Sequence, residues 1–156
     1  MTYRIDERLN QGCDENCRAD MVRNLEWAIE SIRELLDLYR EDPDASDDDL
    51  GSLRDYGLEF SLDQPQHPDA PADIFTFRWV LCTGGPHYEF TFEARRLGWY
   101  DYRLREVRFV FLPWFQRGEI ILDGPQEALL ESVFLEYFVE NGFAERAASG
   151  HPHYYG

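Results

Sequence analysis

Two residues able to form an activated nucleophile, Cys82 and His87, flank Gly84-Gly85 in the segment LCTGGPHY. The longer run WVLCTGGPHYEFTF alternates apolar residues on both sides of the glycines, which predicts a β-hairpin. With Gly84-Gly85 as the loop, the numbers of facing residues sum to 169. Leu81 then meets Tyr88, Trp79 meets Phe90 and Phe77 meets Phe92, while Cys82 meets His87 on the other face. Every apolar residue lands opposite another, as register selection demands when one face is buried. A thiol beside an imidazole is the minimum for nucleophilic chemistry. No orienting third group or oxyanion donor accompanies the pair, so it anchors only an alternative reading, a small ligand-binding or hydrolytic domain.

The glycines could also cradle a phosphate, but that use calls for a lysine or a following helix, and neither is present. Pro86 has no N–H to donate back to Thr83, so the turn is expected to be open or slightly wide, with a positive φ at one glycine. Cys13 and Cys17, four apart, could share a helix face, yet no histidine pair follows at zinc-finger spacing. His151 and His153 fall in the tail AASGHPHYYG, which reads as flexible. No metal or cofactor is expected.

Carboxylates make the stronger pattern. Glu26, Glu30, Glu34, Asp37 and Glu41 advance by three or four residues and form one stripe along a helix, opposite its apolar face. Each four-residue step rises about 6 Å, close to the spacing of phosphates along a nucleic-acid strand. The loop EDPDASDDDLGS continues the stripe with Asp42, Asp44, Asp47, Asp48 and Asp49 and no base among them. Such a row can occupy an arginine- and lysine-lined groove built for a phosphate backbone; its plain alternative is a solvated helix face. Trp99, Tyr100 and Tyr102 add an aromatic cluster of the kind that anchors interfaces, and Trp114-Phe115 end a strand.

These residues must be carried by a small set of elements. Met21, Val22, Leu25, Ala28, Ile29, Ile32, Leu35, Leu36 and Tyr39 predict a helix from Cys17 to Glu41 that stops before Pro43. A weak strand follows near Tyr56–Leu62, then the proline-rich loop DQPQHPDAPAD. Strands are predicted from Ile74 to Cys82, around Tyr88–Phe92, over Val107–Phe111 and at GEIIL, with RRLGWYDYRLRE as a long hairpin loop. A second helix opens at Pro125 and closes at Gly142, apolar on more than one face, which implies deep burial or a partner helix over residues 125–141. Residues 1–12 and 147–156 read as flexible ends of a single domain spanning 1–156.

The chain has 31 acidic and 15 basic residues, a formal charge of −16. That field repels nucleic acid and anionic membranes and attracts basic partners. The absence of an apolar run long enough for a membrane span or signal peptide, with three cysteines read as reduced thiols, predicts a cytoplasmic protein.

The segments LCTGGPHYEFTFEA and REVRFVFLPWFQRGEIIL together resemble a group of small acidic proteins of plasmids, phages and integrative elements, sharing a TGGP turn and a strand that ends in an aromatic pair. The likeness covers residues 74 to 122, and it implies a counter-defence setting on a mobile element. The chain departs from that pattern in its longer RRLGWYDYRLRE connection and in Pro113.

The expected fold is α+β: a long N-terminal helix, an antiparallel sheet of four to five strands, and a C-terminal helix packed on the sheet. The expected function is a non-enzymatic inhibitor, of anti-CRISPR or anti-restriction type, filling a basic nucleic-acid-binding site. Glu30, Glu34, Asp37, Asp47, Asp48 and Asp49 would serve as phosphate surrogates and Trp99 and Tyr100 as anchors. A dimeric adaptor joined through residues 125–141 is a further alternative.

Overall fold

The computed structural model describes residues 4–63 and 71–154. Its longest helix, α1 (Glu15–Glu41), starts where Asp14 caps it, the carboxylate accepting from the Cys17 N–H at 2.8 Å. Met21, Leu25, Ala28, Ile29, Ile32, Leu35 and Leu36 form its buried stripe, and it stops two residues before Pro43.

Six strands follow: β1 (Glu59–Asp63), β2 (Ile74–Cys82), β3 (His87–Gly98), β4 (Asp101–Leu112), β5 (Gly118–Ile121) and, at the C-terminal end, β6 (His153–Tyr154). They form one antiparallel sheet ordered β5-β4-β3-β2-β1-β6. The expected α+β class holds, with six strands instead of four to five. The sixth comes from the tail, where His153 pairs with Phe60 and packs on Phe143 at 4.3 Å. The remaining two tail residues, 155 and 156, lie outside the described residues, as does most of the proline-rich loop, 64–70.

RRLGWYDYRLRE is strand instead of loop. β3 and β4 run on to Gly98 and Asp101, joined by a tight turn at Trp99-Tyr100, with Tyr100 in the left-handed region at φ 59°. The N-terminal arm is also ordered from residue 4. Asn10 is fully buried; its side chain donates to the Glu119 carbonyl and accepts from the Glu119 N–H, both at 2.9 Å. That amide acts as a one-residue substitute for a neighbouring strand and closes part of the β5 edge.

Helices cover the aromatic face of the sheet. α2 (Gly124–Val133) continues into a π-helical turn, Phe134–Val139, and Gly142 at φ 81° ends it before α3 (Phe143–Ala148). Phe134 and Phe138, one turn apart, press onto the sheet: Phe134 stacks on Phe92 at 5.1 Å, and Phe138 on Phe60 at 4.0 Å. Phe134, Tyr137, Phe138 and Val139 are buried within the chain, and Leu129 and Leu135 are partly buried against the same core.

Two expectations about the cysteines are corrected. Cys13 and Cys17 form a disulfide across the N-cap of α1, because the helix begins at Glu15 and places their Cα atoms 5.3 Å apart. Only Cys82 is a free thiol, which removes the reduced-thiol argument for a cytoplasmic setting. No helix among the described residues is long and apolar enough to cross a membrane.

Candidate functional site

The hairpin register is as expected at Phe77↔Phe92 and Trp79↔Phe90, and then breaks. A β-bulge between Val80 and Cys82 sets Cys82 opposite Tyr88, not His87. His87 faces Leu112 on β4, and its Nε2 lies 2.8 Å from a Glu89 carboxylate oxygen. The thiol has only a long contact to the Thr83 carbonyl, 4.0 Å, and a neighbouring Tyr88 phenol whose pKa is raised by burial first and by Cys82 second. Among the described residues, no hydrogen bond joins the Cys82 thiol to the His87 imidazole, the pairing that would activate a nucleophilic cysteine.

The glycine turn is the bend of a hairpin. Gly84 has φ 107°, the Gly85–Pro86 peptide is cis, and a side chain on Gly85 would begin 2.9 Å from the Trp114 indole. Trp114 thus lies against Gly85, whereas a side chain on Gly84 would meet nothing within 4 Å. Among the described residues, no group of three or more His, Cys, Asp or Glu is placed to hold a metal ion.

The acidic stripe is built as the helical spacing implies. Glu26, Glu30, Glu34, Asp37 and Glu41 are all exposed, and none has an ion-pair partner among the described residues. Arg33 stands among them, also without one. The following loop folds back so that Asp47 joins Glu34, Asp37 and Glu41 around a depression of about 340 Å³ floored by Leu35, Leu38 and Leu50. Asp47 shapes that loop: its carboxylate accepts from the N–H groups of Leu50 and Asp49, at 2.9 and 2.8 Å, which lowers its pKa. Sequence reasoning did not foresee this fold-back. Glu30 lies a turn away on the same stripe, while Asp48 and Asp49 are exposed on the loop outside the depression.

Trp99 and Tyr100 project from the β3–β4 turn, 75% and 60% exposed. Buried Glu145 of α3 holds the turn, accepting from the Tyr100 N–H at 2.8 Å and from Arg96, whose guanidinium lies 4.8 Å over the Trp99 ring. Burial first, and the Glu145 charge second, push Tyr102 in this cluster up to about 12. The tip also neighbours the end of α1: Asn141 donates to the Tyr39 hydroxyl at 3.0 Å, Arg40 pairs with Glu136, and a Gly142 side chain would begin 3.4 Å from the Tyr100 ring. The Asn141–Gly142 corner thus neighbours both the aromatic tip and the last turn of α1. Trp114 and Phe115, also exposed, belong to a different turn, between β4 and β5.

Compared with known proteins, the chain matches no family model, no curated protein and no solved structure.

Proposed function

We propose that the chain is a non-enzymatic inhibitor whose acidic face fills a basic, nucleic-acid-binding groove of a host defence complex, a CRISPR effector or restriction enzyme. One observation carries this reading: the carboxylates of Glu30, Glu34, Asp37 and Asp47 are exposed and without ion pairs among the described residues, the last three gathered where α1 meets its following loop and Glu30 one turn before them. Glu30, Glu34 and Asp37 carry no ion pair that would compete with a partner's arginines and lysines, and Asp47, although its carboxylate also accepts from loop N–H groups, keeps its charge exposed. Trp99 and Tyr100, held out beside the same end of α1, supply the apolar anchor that a charge-only contact lacks. The mobile-element setting implied by the TGGP resemblance agrees with this role.

Binding of labelled DNA to purified CRISPR effectors and restriction enzymes, followed by fluorescence anisotropy with added protein, tests it. At least one enzyme should lose its DNA in the presence of the wild-type protein. Inhibition should weaken as salt rises, because the Debye length contracts to about 8 Å at physiological ionic strength. It should largely disappear with Glu30→Lys, Glu34→Lys and Asp37→Lys combined. Inhibition indifferent to both salt and the triple reversal, or no competition anywhere in the panel, would remove mimicry through this face.

A further inference from the structure

The arginines of this chain are mostly neutralised internally. Among the described residues, ten of the fifteen make an ion pair with a carboxylate, as expected with twice as many acids as bases. Arg103 and Arg105, close neighbours on β4, do not. They line an open depression of about 380 Å³ with Arg95 and Leu104. β5 pairs with β4 only over Arg108–Phe111, so the strand is unflanked by β5 at this point.

Two features of the ladder concentrate positive charge there. Arg95 of β3 faces Arg103 of β4, and the next pair on that face of the sheet is Glu93 and Glu106. Like charges directly opposite destabilise a sheet, and exchanging one member of each pair would give two cross-strand ion pairs. The sheet instead segregates its charges. Between these pairs a β-bulge lets Ala94 face Leu104 and Glu93 face Glu106, so Arg105 is the extra, unpaired residue. A bulge re-aims a side chain, and here it adds a third guanidinium to the depression.

We propose that Arg95, Arg103 and Arg105 bind the phosphate group of a small ligand, with Leu104 contacting its carbon skeleton. Guanidinium forks match phosphate oxygens bidentately, and three of them can surround one such group. The wider charge of −16 excludes a long polyanion, whereas a small phosphate meets its nearest arginines at distances where they outweigh charges beyond a Debye length. Local acids set the limits of the site: Asp73 holds Arg95 at 3.1 Å and competes for it, Glu106 is engaged by Arg108 at 2.7 Å, and Glu93 stands two residues before Arg95 on β3. The site is independent of the acidic face of α1.

Isothermal titration of the full chain with inorganic phosphate and with adenosine monophosphate, at ionic strength fixed with sodium chloride, tests the proposal. Saturable binding of at least one is expected. Arg103→Gln with Arg105→Gln should weaken it by about tenfold or more, since both forks are lost. The exposed pair Arg4→Gln and Arg33→Gln, an equal change in charge elsewhere, should leave it unaltered. Tighter binding of adenosine monophosphate would identify an organic phosphate as the ligand, and equal binding would identify phosphate itself. No saturable binding of either, or equal weakening by the control pair, would overturn the site.

Discussion

On the outer face of α1, Glu26, Glu30, Glu34 and Asp37 have no ion-pair partner among the described residues; on the polar face of the sheet, Glu89, Glu106 and Glu119 are each held by arginine. Glu89 is the extreme case, 5% exposed, gripped by two nitrogens of Arg78 at 2.8 and 3.1 Å and by His87 at 2.8 Å. Arg108 bridges Glu106 and Glu119, and Arg117 takes the other Glu119 oxygen. The contrast separates two uses of the same residue type. The sheet carboxylates are paid for by the fold, being partners of specific arginines, whereas the helix carboxylates are independent of it and are free to serve solubility or a partner.

Glu89→Gln should give the largest effect, because it leaves the Arg78 guanidinium beside a neutral amide in a half-buried place. Breaking a buried pair costs about 3 kcal/mol or more, and an equal loss is expected in denaturant unfolding. Burial pushes the Glu89 carboxyl up, but Arg78 and His87 outweigh it and hold the group below its ordinary 4.5. Its contribution is therefore complete above pH 4.5 and lost as pH falls through the lowered folded value. The wild type should lose stability over that window and the glutamine variant should lose less. If both lines run parallel, the pairing does not govern acid stability.

Replacing Glu30 and Glu34 with glutamine and Asp37 with asparagine should act in the opposite direction and more weakly. Like charges three or four apart repel by about 0.2–0.5 kcal/mol per pair, so the neutralised helix should be equally or slightly more stable. The gain should shrink as salt screens the wild-type stripe. A clear loss of stability would mean that these carboxylates have a structural task and would erase the contrast with the sheet.

Much of the scaffold was legible because periodicity records burial. The α1 stripe, the helix stop before Pro43 and the facing of Phe77 with Phe92 all follow from spacing, while the helix start at Glu15 lies two residues before the expected Cys17. Counting could not see the bulge near Leu81, which moves Cys82 by one place and dissolves the apparent Cys–His pair. The β3–β4 extension was missed because its Arg95, Arg96, Arg103 and Arg105 leave little apolar alternation, and because its turn uses Tyr100 where glycine or asparagine would be the usual signal. The buried Asn10 left no periodic trace, since one side chain bonding to a distant strand edge has no local pattern. At the candidate site, the helical carboxylates were readable from their spacing, but the fold-back that sets Asp47 beside Glu34 and Asp37 depends on a loop held by its own Asp47 hydrogen bonds.

The smallest expected effect lies at the opposite edge of the sheet, where, among the described residues, β6 pairs with β1 through His153 and Tyr154. His153 packs its ring on Phe143, and burial first, then the nearby charge of Arg146, lowers its pKa from 6.5. A histidine favoured in its neutral form contributes fully above pH 6.5 and loses that contribution as pH falls through the lowered folded value. Moving from about pH 7.5 to about 5.5 should therefore speed amide exchange in β6 while the β3–β4 core of the sheet stays protected. His153→Phe, which keeps an aromatic ring against Phe143 and cannot take a proton, should abolish the pH dependence at β6. Unlike Glu89, whose loss is felt by the whole fold, His153 sits on an edge strand that can detach alone, so global unfolding should hardly register the change. Exchange at β6 that is equally slow at both pH values would show that the edge is held by its backbone pairing to β1 and not by the uncharged imidazole.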